Sequence, residues 1–111
     1  MAYDERLAER IRELVGTGPD VTEQRMFGGL AFLIGGHLAV AASGQGGLLV
    51  RVDPADADRL LASTAALPME MRGRPVRGWL RVPSDAVGTK RALARWVGLG
   101  TGYVRTLPPK G

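Results

Sequence analysis

The chain has one histidine, His37, the residue type most often used as acid, base or metal ligand near neutral pH. A metal site built on it would need carboxylates such as Glu70 or Asp53, because the chain has no cysteine. His37 follows Gly35-Gly36, and an exposed residue at the edge of a turn is its simpler reading. Ser43, Ser63, Ser84, Thr64 and Thr89 carry hydroxyls. None stands in a nucleophile-elbow context, and one histidine would have to serve them all as base. Ser84, after Pro83, reads better as a helix cap. Asp53, Asp56 and Asp58 are explained as a cap and as partners of a helix dipole. No paired acid stands on an apolar strand. These residues assemble no catalytic group, so the expectation is a protein that is not an enzyme and uses no cofactor and no metal.

Two glycine-rich stretches have the composition of phosphate loops without the context. Gly44-Gln45-Gly46-Gly47 lies between two strands, and Gly98-Leu99-Gly100-Thr101-Gly102 falls within or after a helix with no lysine following. A phosphate loop instead aims backbone N–H groups at a ligand from a helix N-terminus. A hairpin turn and a helix irregularity are the expected outcomes. Arginine supplies nearly all of the positive charge, since only Lys90 and Lys110 are lysines, and the net charge is +4. Arg72, Arg74, Arg77 and Arg81 concentrate in and after one turn, and Lys90, Arg91 and Arg95 give the last helix a basic face. Together they could follow a phosphate backbone. Aromatic interleaving is limited to Trp79, and no helix-turn-helix or RNA-binding signature is present. A solvated arginine-rich surface is the simpler reading, and nucleic-acid contact is kept as the alternative.

The most distinctive motif is Arg25-Met26-Phe27-Gly28-Gly29. Paired glycines weaken a strand, so they are expected where it bulges or where another backbone comes close. A bulge or close packing of a helix over the strand is one reading, and a flat spot where a partner's backbone docks is the other. On the second reading these five residues are the candidate partner contact.

These residues need a frame. Tyr3, Leu7, Ile11, Leu14 and Val15 recur at helical spacing, and Gly16-Thr17-Gly18-Pro19 stops that helix. A linker through Asp20 and Thr22 leads to the glycine-pair strand, with Met26, Leu30, Phe32 and Ile34 on one face and Phe27, Ala31 and Leu33 on the other. A second strand runs from His37 to Ser43, and in a third Leu48, Val50 and Val52 alternate with Leu49, Arg51 and Asp53. Asp53-Pro54 opens a short helix. Leu67, Met69 and Met71 alternate, a turn spans Arg72 to Gly78, and Trp79 to Val82 return as a strand. Leu93, Trp96 and Val97 mark the last helix, with Gly100 and Val104 extending its stripe. The order is helix, three strands, helix, two strands, helix, and the short links predict an α+β fold with a mainly antiparallel sheet. One domain is expected over residues 1–111, with 107–111 as a flexible tail.

In that order the chain resembles the TfoX N-terminal domain (TfoX/Sxy) family. Arg25-Met26-Phe27-Gly28-Gly29, Phe32, Gly36, Leu48-Leu49-Val50-Arg51-Val52-Asp53, Trp79-Leu80-Arg81-Val82-Pro83, Trp96-Val97 and Leu107-Pro108-Pro109-Lys110 carry the resemblance. It covers nearly the whole chain and implies a single-domain member, without the second domain of longer relatives. The strand at Trp79 departs from the family in lacking tyrosines, and Gly98, Gly100 and Gly102 depart by placing glycines in the last helix. The resemblance implies a secretion-chaperone-like arrangement, a link to regulators of bacterial DNA-uptake competence, and no known reaction.

A non-enzymatic regulatory or adaptor domain acting by protein contact is therefore expected. Because both faces of the first strand are apolar, one helical layer cannot cover it. Loops and a terminal segment cover the second face, or another subunit does, which points to a homodimer with an otherwise unidentified protein partner. No apolar run approaches the roughly 18 residues needed to cross a bilayer. The charged start is unlike a signal peptide, and the absence of cysteine suits a reducing compartment, so the cytoplasm is the expected location and no membrane partner is expected.

Overall fold

Helix α1 (Glu5–Val15) begins where Asp4 accepts from the backbone N–H groups of Arg6 and Leu7, at 3.0 and 3.1 Å. An Asp cap satisfies N–H groups that the first helical turn leaves without partners. The structure, a computed structural model, describes residues 3–26 and 28–109. Phe27 of the glycine motif and Lys110 of the tail lie outside the described residues. After α1 come β1 (Val21–Met26), β2 (Gly29–Ile34), β3 (His37–Ala42), β4 (Leu48–Arg51), α2 (Pro54–Ser63), β5 (Leu67–Met71), β6 (Arg74–Val82), a single 3-10 turn at Ser84–Val87, and α3 (Lys90–Val104).

The six strands form one antiparallel sheet in the order β1-β2-β3-β4-β6-β5. This is the expected α+β class with one more strand. The linker expected through Asp20 and Thr22 is instead part of a strand, and residues 21–26 pair with β2 along their whole length. The paired glycines are therefore not inside a strand. The chain reverses between Met26 and Gly29, which stand opposite each other; Gly28 takes φ +74°, and Gly29 opens β2. That reversal also moves Met26 to the opposite face from Leu30, Phe32 and Ile34.

One core is shared by all three helices and one face of the sheet. Leu7 and Ile11 of α1, Leu60 of α2, and Leu93, Trp96 and Val97 of α3 meet Leu30, Phe32, Val40, Val50, Leu80 and Val82. Ile11, Phe32 and Leu93 are at most 1% exposed, and each such burial contributes about 1.5–3 kcal/mol. Asp53 caps α2 by accepting from the Ala55 N–H at 2.9 Å, with Pro54 in the first turn as expected. The cap of α3 is Thr89, which accepts from the Ala92 N–H at 3.1 Å. Ser84 instead starts the short 3-10 turn, a correction to its expected capping role. Helix α3 runs unbroken through Gly98, Gly100 and Gly102.

Gly100 explains why one of those glycines is there. A Cβ on it would lie 2.6 Å from the Ala39 carbonyl oxygen and 3.0 Å from methyls of Val40 and Val50. Ala39 is the extra residue of a bulge, since Phe32 pairs with Val40 while Leu33 pairs with Leu38. The helix rests on the sheet at the bulge, and only a residue without a side chain fits between them.

Candidate functional site

Alternation along each strand sends every second side chain away from the helices. On that side Ala31, Leu38, Ala41 and Leu49 form a separate buried floor, with half-buried Met26, Leu33, Met69 and Trp79 packed on it. No helix joins this cluster among the described residues. The two-sided apolar character of residues 30–34 thus has a structural counterpart in a helix-free sheet face with its own apolar patch.

Two cations border the patch. Arg51, at the end of β4, is cross-strand partner to Trp79. Its guanidinium carbon lies 5.4 Å from the Trp79 ring centre and 5.7 Å from that of Tyr103 on α3. Such contacts hold a guanidinium in place at about 0.5–1 kcal/mol each on a surface. Arg81 pairs with Leu49 and Leu67 and donates to the side-chain oxygen of Gln45. The ion pairs among the described residues are Arg12 with Glu9, Arg12 with Glu23, and Arg59 with Asp56, so neither Arg51 nor Arg81 has a carboxylate partner there. Leu67 and Met71 of the edge strand β5 are 56% and 43% exposed.

The residues of the expected basic surface do not share one face. Arg72, with φ +54°, and Arg74 stand at the tip of the β5–β6 hairpin. Arg77 is exposed in an irregular stretch where residues 76–79 stand opposite Met69 alone. Only Arg81 joins the helix-free face. Lys90, Arg91 and Arg95 are exposed on α3, which packs on β3 and β4 from the other side. Arg51 had no part in the sequence-based surface. Its alternation with Val50 was visible, but its place beside Trp79 required β6 to insert between β4 and β5.

The glycine motif has its own geometry. A Cβ on Gly29 would overlap the Ala42 carbonyl oxygen, and one on Gly44 would lie 2.6 Å from the Gly28 oxygen. The close backbone neighbour is the chain's own segment at the end of β3 and the start of the β3–β4 loop, not a helix. Arg25 is exposed on β1 and Met26 belongs to the apolar patch.

His37, Glu70 and Asp53 do not converge. β3 and β5 are three strands apart, about 14 Å at the usual strand spacing, and Asp53 is committed to its cap. His37 Nε2 is 2.7 Å from the Pro108 carbonyl oxygen, to which it donates, and Nδ1 is buried without a partner. Pro109 packs over Gly35, and Leu107 joins Ile34, Ala39 and Val104. Residues 107–109, expected as part of a flexible tail, are thus laid against the β2–β3 turn. A depression of about 700 Å³ runs along β5 and β6 and is lined by Gln45, Leu67, Glu70, Arg81 and Ser84 among others. Among the described residues no group of three His, Cys, Asp or Glu side chains could hold a metal ion, and no helix is long and apolar enough to cross a membrane.

Comparison with curated proteins and with solved structures gave no significant match to the chain. The family model of the TfoX N-terminal domain matches residues 13–102, from the end of α1 to the last turns of α3, and so takes in the whole sheet. The chain belongs to the TfoX N-terminal domain family.

Proposed function

We propose that this domain is a non-enzymatic adaptor that works by protein contact, with the helix-free face of the sheet as its docking surface. The observation that carries the proposal is the second apolar cluster, which has its own buried floor and no helix over it. Trp79 supplies the kind of large anchor that dominates interface energies, and Met26 and Met69 can adapt to a partner's shape. Arg51 and Arg81, without carboxylate partners, favour a protein surface that combines apolar and acidic side chains. A second copy would bring the same two arginines to the same face, so face-to-face self-pairing is opposed by like charges. Family membership supports a regulatory setting, and control of DNA-uptake competence or of transcription is the setting we propose.

The test is capture of partners from native cytoplasm by the immobilised domain. The comparison is wild type against Trp79→Ser and against a Lys90→Ala/Arg91→Ala/Arg95→Ala variant, each checked for an unchanged melting curve. Proteins held by wild type and by the helix variant but lost by Trp79→Ser are the expected result. Retention that ignores Trp79 refutes the proposed surface. Loss in the helix variant alone, with salt-sensitive binding of labelled DNA or RNA, would favour nucleic-acid contact instead.

A further inference from the structure

Strand β1 is one outer edge of the sheet, and its four central residues, Thr22 to Arg25, are exposed. An edge strand leaves alternate backbone N–H and C=O groups without ladder partners. Their identity follows from one hydrogen bond. The Gly35 N–H donates to the Asp20 carbonyl at 2.9 Å, so residues 20, 22, 24 and 26 turn their backbone toward β2, and 21, 23 and 25 turn theirs outward. The Val21 N–H is already used by the Gly18 carbonyl, at 3.1 Å. Glu23 and Arg25 are left with both backbone groups facing outward.

We propose that two copies of this chain pair antiparallel through β1, with Glu23 of one subunit opposite Arg25 of the partner subunit. Outward-facing residues must oppose one another in such a ladder, which leaves few registers. Centring on Glu23 or on Arg25 sets like charges against each other. Centring on Gln24 sets Glu23 against Arg25 twice, and each pair exchanges two backbone hydrogen bonds. Both side chains lie on the helix side, since their partners on β2 are the core residues Phe32 and Leu30. Glu23 there already accepts from Arg12 at 2.6 and 2.8 Å, and Arg12 also pairs with Glu9. The added guanidinium would complete a cluster of two carboxylates and two arginines, within the acceptor capacity of the carboxylates. Charges on an edge usually prevent pairing, but alternating signs make this edge complementary to itself. The opposite edge lacks that property, because Pro68 has no N–H and β5 is irregular at Met69.

The interface is small, so association is weak and concentration-dependent. Sedimentation velocity of the full chain over a wide concentration range tests it, with Glu23→Arg, Arg25→Glu and an equimolar mixture of the two. Wild type should associate. Each variant alone should associate about tenfold or more weakly, because both crossing pairs become like-charged. The mixture should recover the wild-type strength, because each crossing pair again joins opposite charges. Hydrogen exchange on wild type is a second readout that needs no variant: the Glu23 and Arg25 amides should slow as concentration rises, and those of β5 should not. A monomer at every concentration overturns the proposal. So does a mixture no stronger than its components, or association that leaves the two amides unchanged.

Discussion

Three glycines at alternate positions of α3 should respond to alanine with opposite signs. Gly98 and Gly102 are exposed, and a Cβ on either would meet nothing within 4 Å. Alanine there removes the backbone-entropy cost of a helical glycine and should stabilise the fold by about 0.5–1 kcal/mol at each site. Gly100 gains the same propensity but would place its methyl 2.6 Å from the Ala39 oxygen, where ordinary contact begins at 3.4 Å. That oxygen is backbone and cannot swing away, so α3 would have to withdraw from the sheet by most of an ångström. Overpacking of this kind costs about 1–3 kcal/mol, which outweighs the propensity gain and leaves a net loss of about 1–2 kcal/mol. In thermal unfolding followed by circular dichroism, Gly98→Ala should raise the midpoint by about 2–4 °C and Gly100→Ala should lower it by a similar or larger amount. A Gly100→Ala protein as stable as Gly98→Ala would refute the argument that this residue sets the distance between helix and sheet.

Gly29→Ala should lower the urea midpoint by an amount equivalent to about 2 kcal/mol or more, because the new methyl meets the Ala42 carbonyl and lies 3.0 Å from the Gly44 nitrogen. Asp4→Ala removes the acceptor for two N–H groups of α1 and should cost about 1 kcal/mol in the same assay. The hydrogen bonds from Arg12 hold the Glu23 carboxyl below its ordinary value of 4.5, against a smaller opposing effect of partial burial. A carboxyl lowered on folding adds stability above its unfolded value and loses it as pH falls through the folded one. Both side chains are about one-third exposed, at 35% and 36%, so solvent screening limits the pair to about 0.5–1 kcal/mol. The stability difference between wild type and Glu23→Gln should therefore be present at neutral pH and shrink as the solution is acidified below 4.5.

Local spacing along the chain accounts for much of what is seen. The recurrence of Leu7, Ile11 and Leu14 specifies α1, Asp53-Pro54 specifies the start of α2, and the alternation of Leu48, Val50 and Val52 specifies the buried side of β4. The two apolar faces of residues 30–34 likewise foretold a sheet with an apolar patch on its second side. Those signals are legible because a helix or strand repeats its contacts at a fixed short period. β1 carries no such signal. Thr22, Glu23, Gln24 and Arg25 are polar on both faces, as an edge strand permits, and its partner is supplied by β2. The turn at Gly28, the stop at Ser84 and the cap at Thr89 also depended on which neighbours the chain met. The candidate site shows the same division. Leu49, Arg51 and Trp79 could be assigned to strand faces one strand at a time. Arg51 came to lie against Trp79 only because β6 inserted between β4 and β5, and against Tyr103 because α3 packs on β4. Period along the chain encodes the face a residue shows. Strand order is set by pairing and packing between residues distant in sequence, and no local pattern records it.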